Sequence, residues 1–161
     1  MTKRWVVNAS PLILLGKTEN LDLLGALADV VAVPQAVTNE VGAKHDGTSI
    51  LQVIAENSRY RVVDDETGAP EILSWDLGAG ETQVIANAQR HGADRVVIDD
   101  LEARRCAQAM GLKVIGTIGV VGRAKTVGRI DRAAPIISLL QESGLYVSEE
   151  LVQRFLREVG E

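Results

Sequence analysis

Short apolar runs that alternate with amphipathic stretches are the feature of this 161-residue sequence that most restricts its fold. Five such runs are rich in Val and Ile and lack a regular apolar–polar alternation, at 4–8, 30–33, 60–63, 95–98 and 113–115. Strands that are buried on both faces have this pattern, whereas strands with one wet face alternate. The sequence therefore predicts a three-layer α/β/α sandwich, in which helices cover both faces of a central parallel sheet of about five strands.

The segments between the runs carry helix signals. Ser10 and Pro11 have the residue types of a helix cap and of a first helical position. Residues 64–74 are expected to form an acidic loop. No internal repeat or linker interrupts the pattern, so residues 1–161 are expected to form one domain. Helices are predicted at about 11–17, 21–28, 34–41, 49–56, 82–90, 101–110, 118–127, 135–143 and 148–159.

The composition excludes several classes of protein. A single cysteine, Cys106, cannot support an internal disulfide framework, and with only two histidines a zinc site is disfavoured. No apolar stretch approaches the roughly 18 residues of a membrane span, and residues 1–7 lack the pattern of a signal peptide. The expectation is a cytoplasmic protein that does not contact a membrane.

Charge is distributed unevenly along the chain. The net charge of −5 argues against non-specific binding to nucleic acid. Residues 104–132, however, contain seven basic residues and a single acid, Asp131. This segment predicts either a basic surface beside an acidic site or a set of solvated helix faces, and charge alone does not separate the two.

Polar side chains follow the predicted strands at the edge where open α/β sheets bind ligands. Carboxylates gathered there repel one another unless a cation neutralises them or some take up a proton. Mg²⁺ and Mn²⁺ prefer such oxygen ligands, so the sequence predicts a site for one of these ions. Its candidate ligands are one amide and four carboxylates: Asn8, Glu40, Glu81, Asp99 and Asp100.

Each of these acids also has a purely structural interpretation. Glu81 has the position of a carboxylate in the first turn of a helix, where the helix dipole favours it. Asp100 has that of a helix cap, and Glu40 that of a surface residue. The glycines near 78–80 and 116–119 do not form a dinucleotide or Walker A motif, and helix starts and close packing explain them.

Five sequence segments in a fixed order are informative together: Val-Val-Asn-Ala-Ser-Pro-Leu-Ile (6–13), Val-Pro-Gln-Ala-Val-Thr-Asn-Glu-Val (33–41), Leu-Gly-Ala-Gly-Glu (77–81), Val-Ile-Asp-Asp-Leu-Glu-Ala-Arg (97–104) and Gly-Leu-Lys-Val-Ile-Gly-Thr-Ile-Gly (111–119). Taken in this order, they resemble the PIN-domain superfamily and in particular its toxin-type (VapC-like) ribonuclease branch. The resemblance covers nearly the whole chain, and its specificity comes from the order of the segments.

The resemblance implies a Rossmann-like fold and a ribonuclease that depends on Mg²⁺ or Mn²⁺ and is often the toxin of a toxin–antitoxin pair. It implies RNA as substrate, a small antitoxin protein as partner, and a homodimer. Glu40, Glu81 and Asp100 match the family's catalytic acids, with Asp99 as the alternative to Asp100. Ser10 matches the hydroxyl beside the first acid. Contacts to RNA are expected from Ser10, Thr117, Arg104, Arg123 and Lys125.

Asn8 departs from the family pattern, because PIN nucleases usually carry Asp at that position. An amide oxygen coordinates a cation but adds no negative charge. The sequence therefore leaves two hypotheses: a metal-dependent endoribonuclease, or a catalytically weak or silent PIN-like module that binds nucleic acid or protein. A phosphatase on a similar sheet would need a nucleophilic Asp at this position and is excluded by Asn8.

Overall fold

The computed structural model describes residues 2–161, and a five-stranded parallel sheet lies at its centre. The strands have the order β3-β2-β1-β4-β5, so the chain starts in the middle and builds outward in both directions. Connections between neighbouring parallel strands are right-handed, which places helices on both faces. The strands are β1 (Arg4–Val7), β2 (Val30–Pro34), β3 (Tyr60–Val63), β4 (Arg95–Val97) and β5 (Val114–Ile115).

Ten helices flank the sheet in the part of the chain from residue 2 onward. They are α1 (Ala9–Lys17), α2 (Asp22–Leu27), α3 (Gln35–Gly42), α4 (Gly47–Glu56), α5 (Pro70–Leu73), α6 (Ala79–His91), α7 (Leu101–Ala109), α8 (Thr117–Thr126), α9 (Ala134–Glu142) and α10 (Glu149–Glu158).

Contacts among the helices divide them into two sets. Helix α1 contacts α4 and α8, and α2 contacts α8; on the other side, α6 contacts α5 and α7. Helix α3 contacts both α1 and α6. The predicted α/β/α sandwich is confirmed. Among residues 2–161, no helix combines the length and the apolar character needed to cross a membrane.

The core is aliphatic and centred on the sheet. The middle strand contributes Val6 and Val7, both fully buried, and the helices contribute residues such as Leu12, Leu24 and Ile85. Since aromatic residues are only 3% of the chain, branched aliphatic side chains fill this interior.

Some of the local predictions were wrong. Helix α1 begins at Ala9, with Asn8 as its flanking residue, and not after Ser10. Pro11 is tolerated there because the first amide groups of a helix have no intrahelical partner. The expected loop at 64–74 contains the single turn α5, which Ile72 anchors by burying its side chain completely.

Candidate metal centre

A cleft of about 400 Å³ lies beyond the carboxyl ends of β1 and β4. The parallel sheet brings these ends together because β1 and β4 are hydrogen-bonded neighbours. The backbone N–H of Asn8 donates to the Val97 carbonyl at 3.0 Å. All five predicted metal ligands and Ser10 line this cleft. Its lining is Asn8, Ser10, Leu14, Glu40, Glu81, Asp99, Asp100, Gly144, Leu145 and Tyr146.

Asn8 has a buried oxygen without a hydrogen-bond partner. The residue is 4% exposed, and its Oδ1 accepts no hydrogen bond from any residue between 2 and 161. Buried polar atoms are normally paired, and leaving one unpaired costs about 1–3 kcal/mol. This atom is therefore available to a ligand.

Glu40 approaches the same point from helix α3, and Gly80 makes the approach possible. A Cβ at Gly80 would lie 3.0 Å from Glu40 Oε1 and 3.3 Å from Asn8 Oδ1. Gly80 is the second residue of α6, so the two oxygens converge beside a helix start that carries no side chain there. Any larger residue would occupy the space that the two oxygens border.

Glu81 contributes the next carboxylate from the first turn of α6. Its Oε2 accepts a hydrogen bond from the Gly78 amide at 3.1 Å, which orients the side chain and caps the helix. Burial raises the pKa of the Glu81 carboxyl above its ordinary value. The charges of Asp100 and Glu40 raise it further, against the lowering effect of the Gly78 hydrogen bond. The three acids therefore interact electrostatically.

The adjacent acids after β4 have different hydrogen bonds. Asp100 caps α7 by accepting from the Ala103 amide through Oδ2 at 3.0 Å. Asp99 accepts from the Thr117 amide at 2.8 Å and from the Thr117 hydroxyl at 2.6 Å. Asp100 keeps one oxygen without a protein donor, whereas both oxygens of Asp99 already accept hydrogen bonds.

The donor set fits a hard divalent cation. Within residues 2–161, no three acidic, histidine or cysteine side chains converge closely enough to enclose an ion by themselves. The unpartnered Asn8 oxygen and the Glu40 oxygen nevertheless converge beside Gly80, and Glu81 and Asp100 line the same cleft. All of these donors are oxygens, and Mg²⁺ usually completes its coordination with waters.

The structure does not bring all the predicted RNA contacts to the cleft. Ser10 is exposed on its lining, and Arg104 lies beside it. Thr117 is fully buried, and its hydroxyl donates a hydrogen bond to the Asp99 carboxylate. Arg123 and Lys125 lie in the last part of α8. At a rise of 1.5 Å per residue, Lys125 is about 12 Å along the axis from Thr117.

Sequence reasoning missed the segment 144–146, which joins α9 to α10 and closes one side of the cleft. Its residues are Gly144, Leu145 and Tyr146, a combination that has no motif signal. The one indication in the sequence was that Tyr146 is among the few aromatic residues of the chain, and the structure shows that its ring is exposed.

Comparisons with known proteins agree with this architecture. A family model described as a PIN domain matches residues 4–161. A solved structure, described as that of the PIN domain endonuclease Utp24, superposes with a TM-score of 0.53 at 10% identity. The alignment covers 70% of this chain and 84% of that one. At this identity the likeness concerns the fold alone. No curated protein matches the sequence.

Proposed function

The chain belongs to the PIN-domain family, and from this premise we propose that the acidic cleft is the active site of a metal-dependent endoribonuclease. The observation that carries the proposal is the buried, unpartnered Asn8 oxygen, which faces Glu40 across Gly80. Glu81 and Asp100 line the same cleft. An unpaired buried oxygen among carboxylates is costly in the free protein and favourable once a cation is bound.

Four residues would hold Mg²⁺ or Mn²⁺: Asn8 through its amide oxygen and Glu40, Glu81 and Asp100 through carboxylates. A bound ion would polarise the scissile phosphate and supply an activated water. The hydrogen bonds from Gly78 to Glu81 and from Ala103 to Asp100 orient these side chains before the ion arrives. The exposed Ser10 hydroxyl lies on the cleft lining, where it can donate to a phosphate oxygen.

Asp99 has a positioning role in this proposal. Its two hydrogen bonds from Thr117 tie the end of β4 to the start of α8. That connection holds the edge of the sheet on which Asp100 stands. Asp99 is therefore a weaker candidate ligand than its neighbour.

The test is cleavage of single-stranded RNA in Mn²⁺ by the wild type and by a Glu40→Gln/Asp100→Asn double variant. Asn also caps helices, and Glu40 is exposed, so the variant keeps its fold. We expect a loss of about 100-fold or more in kcat. A matched control, Asp131→Asn/Glu142→Gln, removes the same charges from exposed positions outside the cleft and should retain activity.

A second candidate function is a silent PIN-like module that binds nucleic acid or protein. The amide at position 8 favours it, because the cleft has one negative charge fewer than an all-acid site. RNA binding by a wild type that does not cleave in Mg²⁺ or Mn²⁺ would select this alternative. Calorimetry with Mn²⁺ that detects no binding to the wild type would contradict the metal centre itself.

The toxin role, the small antitoxin partner and the homodimer belong to the same proposal and are supported by the family resemblance. Induced expression of the chain should arrest bacterial growth, and co-expression of the small neighbouring reading frame should relieve the arrest. Light scattering of the purified chain measures the oligomeric state. If induced cells grow normally although the purified chain cleaves RNA, the chain is a nuclease without a toxin role.

A further inference from the structure

The acidic cleft continues into a second depression of about 440 Å³, here called the outer groove. The two share three lining residues, Asp99, Leu145 and Tyr146, so the segment 144–146 forms their common wall. The outer groove lies between α7, the start of α8, and α10. A chain-like ligand whose reacting group occupies the cleft would therefore extend into this groove.

Tyr146 stands at the junction with its ring fully exposed. Its neighbours Leu145 and Val147 are partly buried and pack against the core, which anchors the segment on both sides of the ring. An exposed ring that makes no packing contact adds little to stability. Such a ring beside a nucleic-acid site offers a stacking surface for a base.

Two arginines line the outer groove. The Arg104 side chain donates to the Ile98 carbonyl at 3.4 Å, which holds the guanidinium near the end of β4. Arg154 is exposed on α10. Within residues 2–161 neither arginine forms an ion pair, whereas Arg105 pairs with Glu102 and Lys125 with Glu161. The guanidinium donors of Arg154, and those of Arg104 that do not bond the Ile98 carbonyl, are therefore available to phosphate oxygens.

Gly116 makes room for Arg104. A Cβ at Gly116 would lie 2.7 Å from Arg104 Nη1 and 2.9 Å from Asp99 Oδ1. Two acids, Asp99 and Glu158, also line the groove, but Asp99 already accepts two hydrogen bonds from Thr117. Apolar side chains, Leu151 and Phe155 among them, line it as well. The two arginines offset the charges of these two acids, and the aromatic ring and the apolar surface complement the base of a nucleotide.

We infer that the outer groove binds the nucleotide next to the scissile phosphate of a single-stranded RNA, an inference that rests on the proposed nuclease function. The base stacks on Tyr146, and Arg104 and Arg154 contact the backbone phosphates. A base paired within a duplex has no free face for this ring, so the groove selects unpaired RNA.

The test is fluorescence anisotropy of a short labelled single-stranded RNA in EDTA, where binding is measured without cleavage. Tyr146→Ala should weaken binding about fivefold or more, and Tyr146→Phe should bind like the wild type, because stacking needs the ring and not the hydroxyl. Leu139→Ala removes exposed apolar surface from α9 and serves as the matched control. Unchanged melting temperatures would establish that the variants fold.

The salt dependence of RNA binding tests the contact between Arg154 and a backbone phosphate. Arg154→Ala should reduce the slope of log K against log salt by about 0.7, the value for one phosphate contact on a single strand. Arg157→Ala, on the same helix and outside the groove, should leave the slope unchanged.

The outcomes separate this inference from the proposed function. If the wild type cleaves RNA and Tyr146→Ala binds it within twofold of the wild type, the inference is overturned and the nuclease proposal stands. Equal affinity for duplex and single-stranded RNA would also overturn it. A wild type that neither binds nor cleaves RNA would overturn both.

Discussion

At the scale of single residues, Asn8 decides how much negative charge the acidic cleft holds. Its oxygen is buried and unpartnered, and Glu40 stands across Gly80 from it. The charges of Glu40 and Asp100 already raise the pKa of Glu81, although less than burial does. A further carboxylate would add repulsion in the free protein and attraction for a bound cation.

Asn8→Asp tests this balance. In buffer with a metal chelator, the free energy of unfolding of the variant should be about 1–3 kcal/mol lower than that of the wild type, because the variant buries a charge without a partner. With Mn²⁺ its melting temperature should recover and its RNA cleavage should exceed that of the wild type. Thermal melts with and without metal, together with a cleavage assay, measure both effects.

Asn87→Asp is the matched control for this prediction. Asn87 is also buried, but its Oδ1 accepts a hydrogen bond from Arg4 at 2.6 Å, so a new carboxylate there would meet a cation. Its stability should not respond to Mn²⁺. An Asn8→Asp protein that is as stable as the wild type in chelator would mean that the cleft lacks the predicted repulsion.

At the scale of elements, the edge of the sheet is held by hydrogen bonds between the end of β4 and the start of α8. Thr117 donates both its amide and its hydroxyl to Asp99. The same edge presents Asp100, whose carboxylate accepts the hydrogen bond that caps α7. The helix starts thus position the acids of the cleft.

Thr117→Val removes the hydroxyl while the side chain keeps nearly the same size and shape. We expect a loss of about 1.5–3 kcal/mol in the free energy of unfolding, the usual contribution of a hydrogen bond to a charged group. If Asp99 is a positioning residue, Mn²⁺ affinity should fall much less than it does in Asp100→Asn. Urea unfolding and calorimetry give the two quantities.

Thr126→Val is the control on the same helix, because the Thr126 hydroxyl donates locally to the Gly122 carbonyl. Its effect on stability should be small. A large fall in Mn²⁺ affinity in Thr117→Val would instead support Asp99 as a ligand.

The hydrophobic pattern predicted these elements well, since all five strands lie where apolar runs predicted them. Strand identity is a local property, because a run of Val and Ile between polar residues favours a buried extended segment. Helix boundaries were predicted less well: α6 begins at Ala79 and not at Thr82, since Glu81 caps it from within its first turn. The single turn α5 is too short to show helical periodicity.

At the scale of the whole molecule, Glu161 joins the end of the chain to α8 and α9. Its carboxylate accepts from Lys125 at 2.7 Å and from the amides of Ala133 and Ala134 at 2.6 Å and 3.1 Å. The Lys125 bond and then the amide bonds lower the pKa of Glu161 to about 2. These contacts tie the segment that follows α10 to α8 and α9, and α10 forms one side of the outer groove.

Acid should release this connection. Because the pKa of Glu161 is lowered in the folded state, its contribution to stability is present above the ordinary value of 4.5 and is lost as the pH falls from there toward 2. Glu161→Gln should therefore be less stable than the wild type at pH 7, and the difference should shrink at pH 3. Urea midpoints at the two pH values measure this.

Glu142→Gln, at an exposed position of α9, is the control and should change stability little at either pH. A gap between wild type and Glu161→Gln that is equally large at pH 3 would mean that the charge of Glu161 is not the source of its effect.

The sequence by itself determined the sheet, its flanking helices and the presence of Asn8, Asp99 and Asp100 at one edge, because these follow from local hydrophobic pattern and from where each strand ends. Tertiary structure decided which polar atoms are free. It paired Asp99 with Thr117, paired Lys125 with a residue 36 positions away, left the Asn8 oxygen unpartnered, and set Tyr146 at the cleft. Each of these depends on contacts between distant parts of the chain, and local pattern carries no record of such contacts.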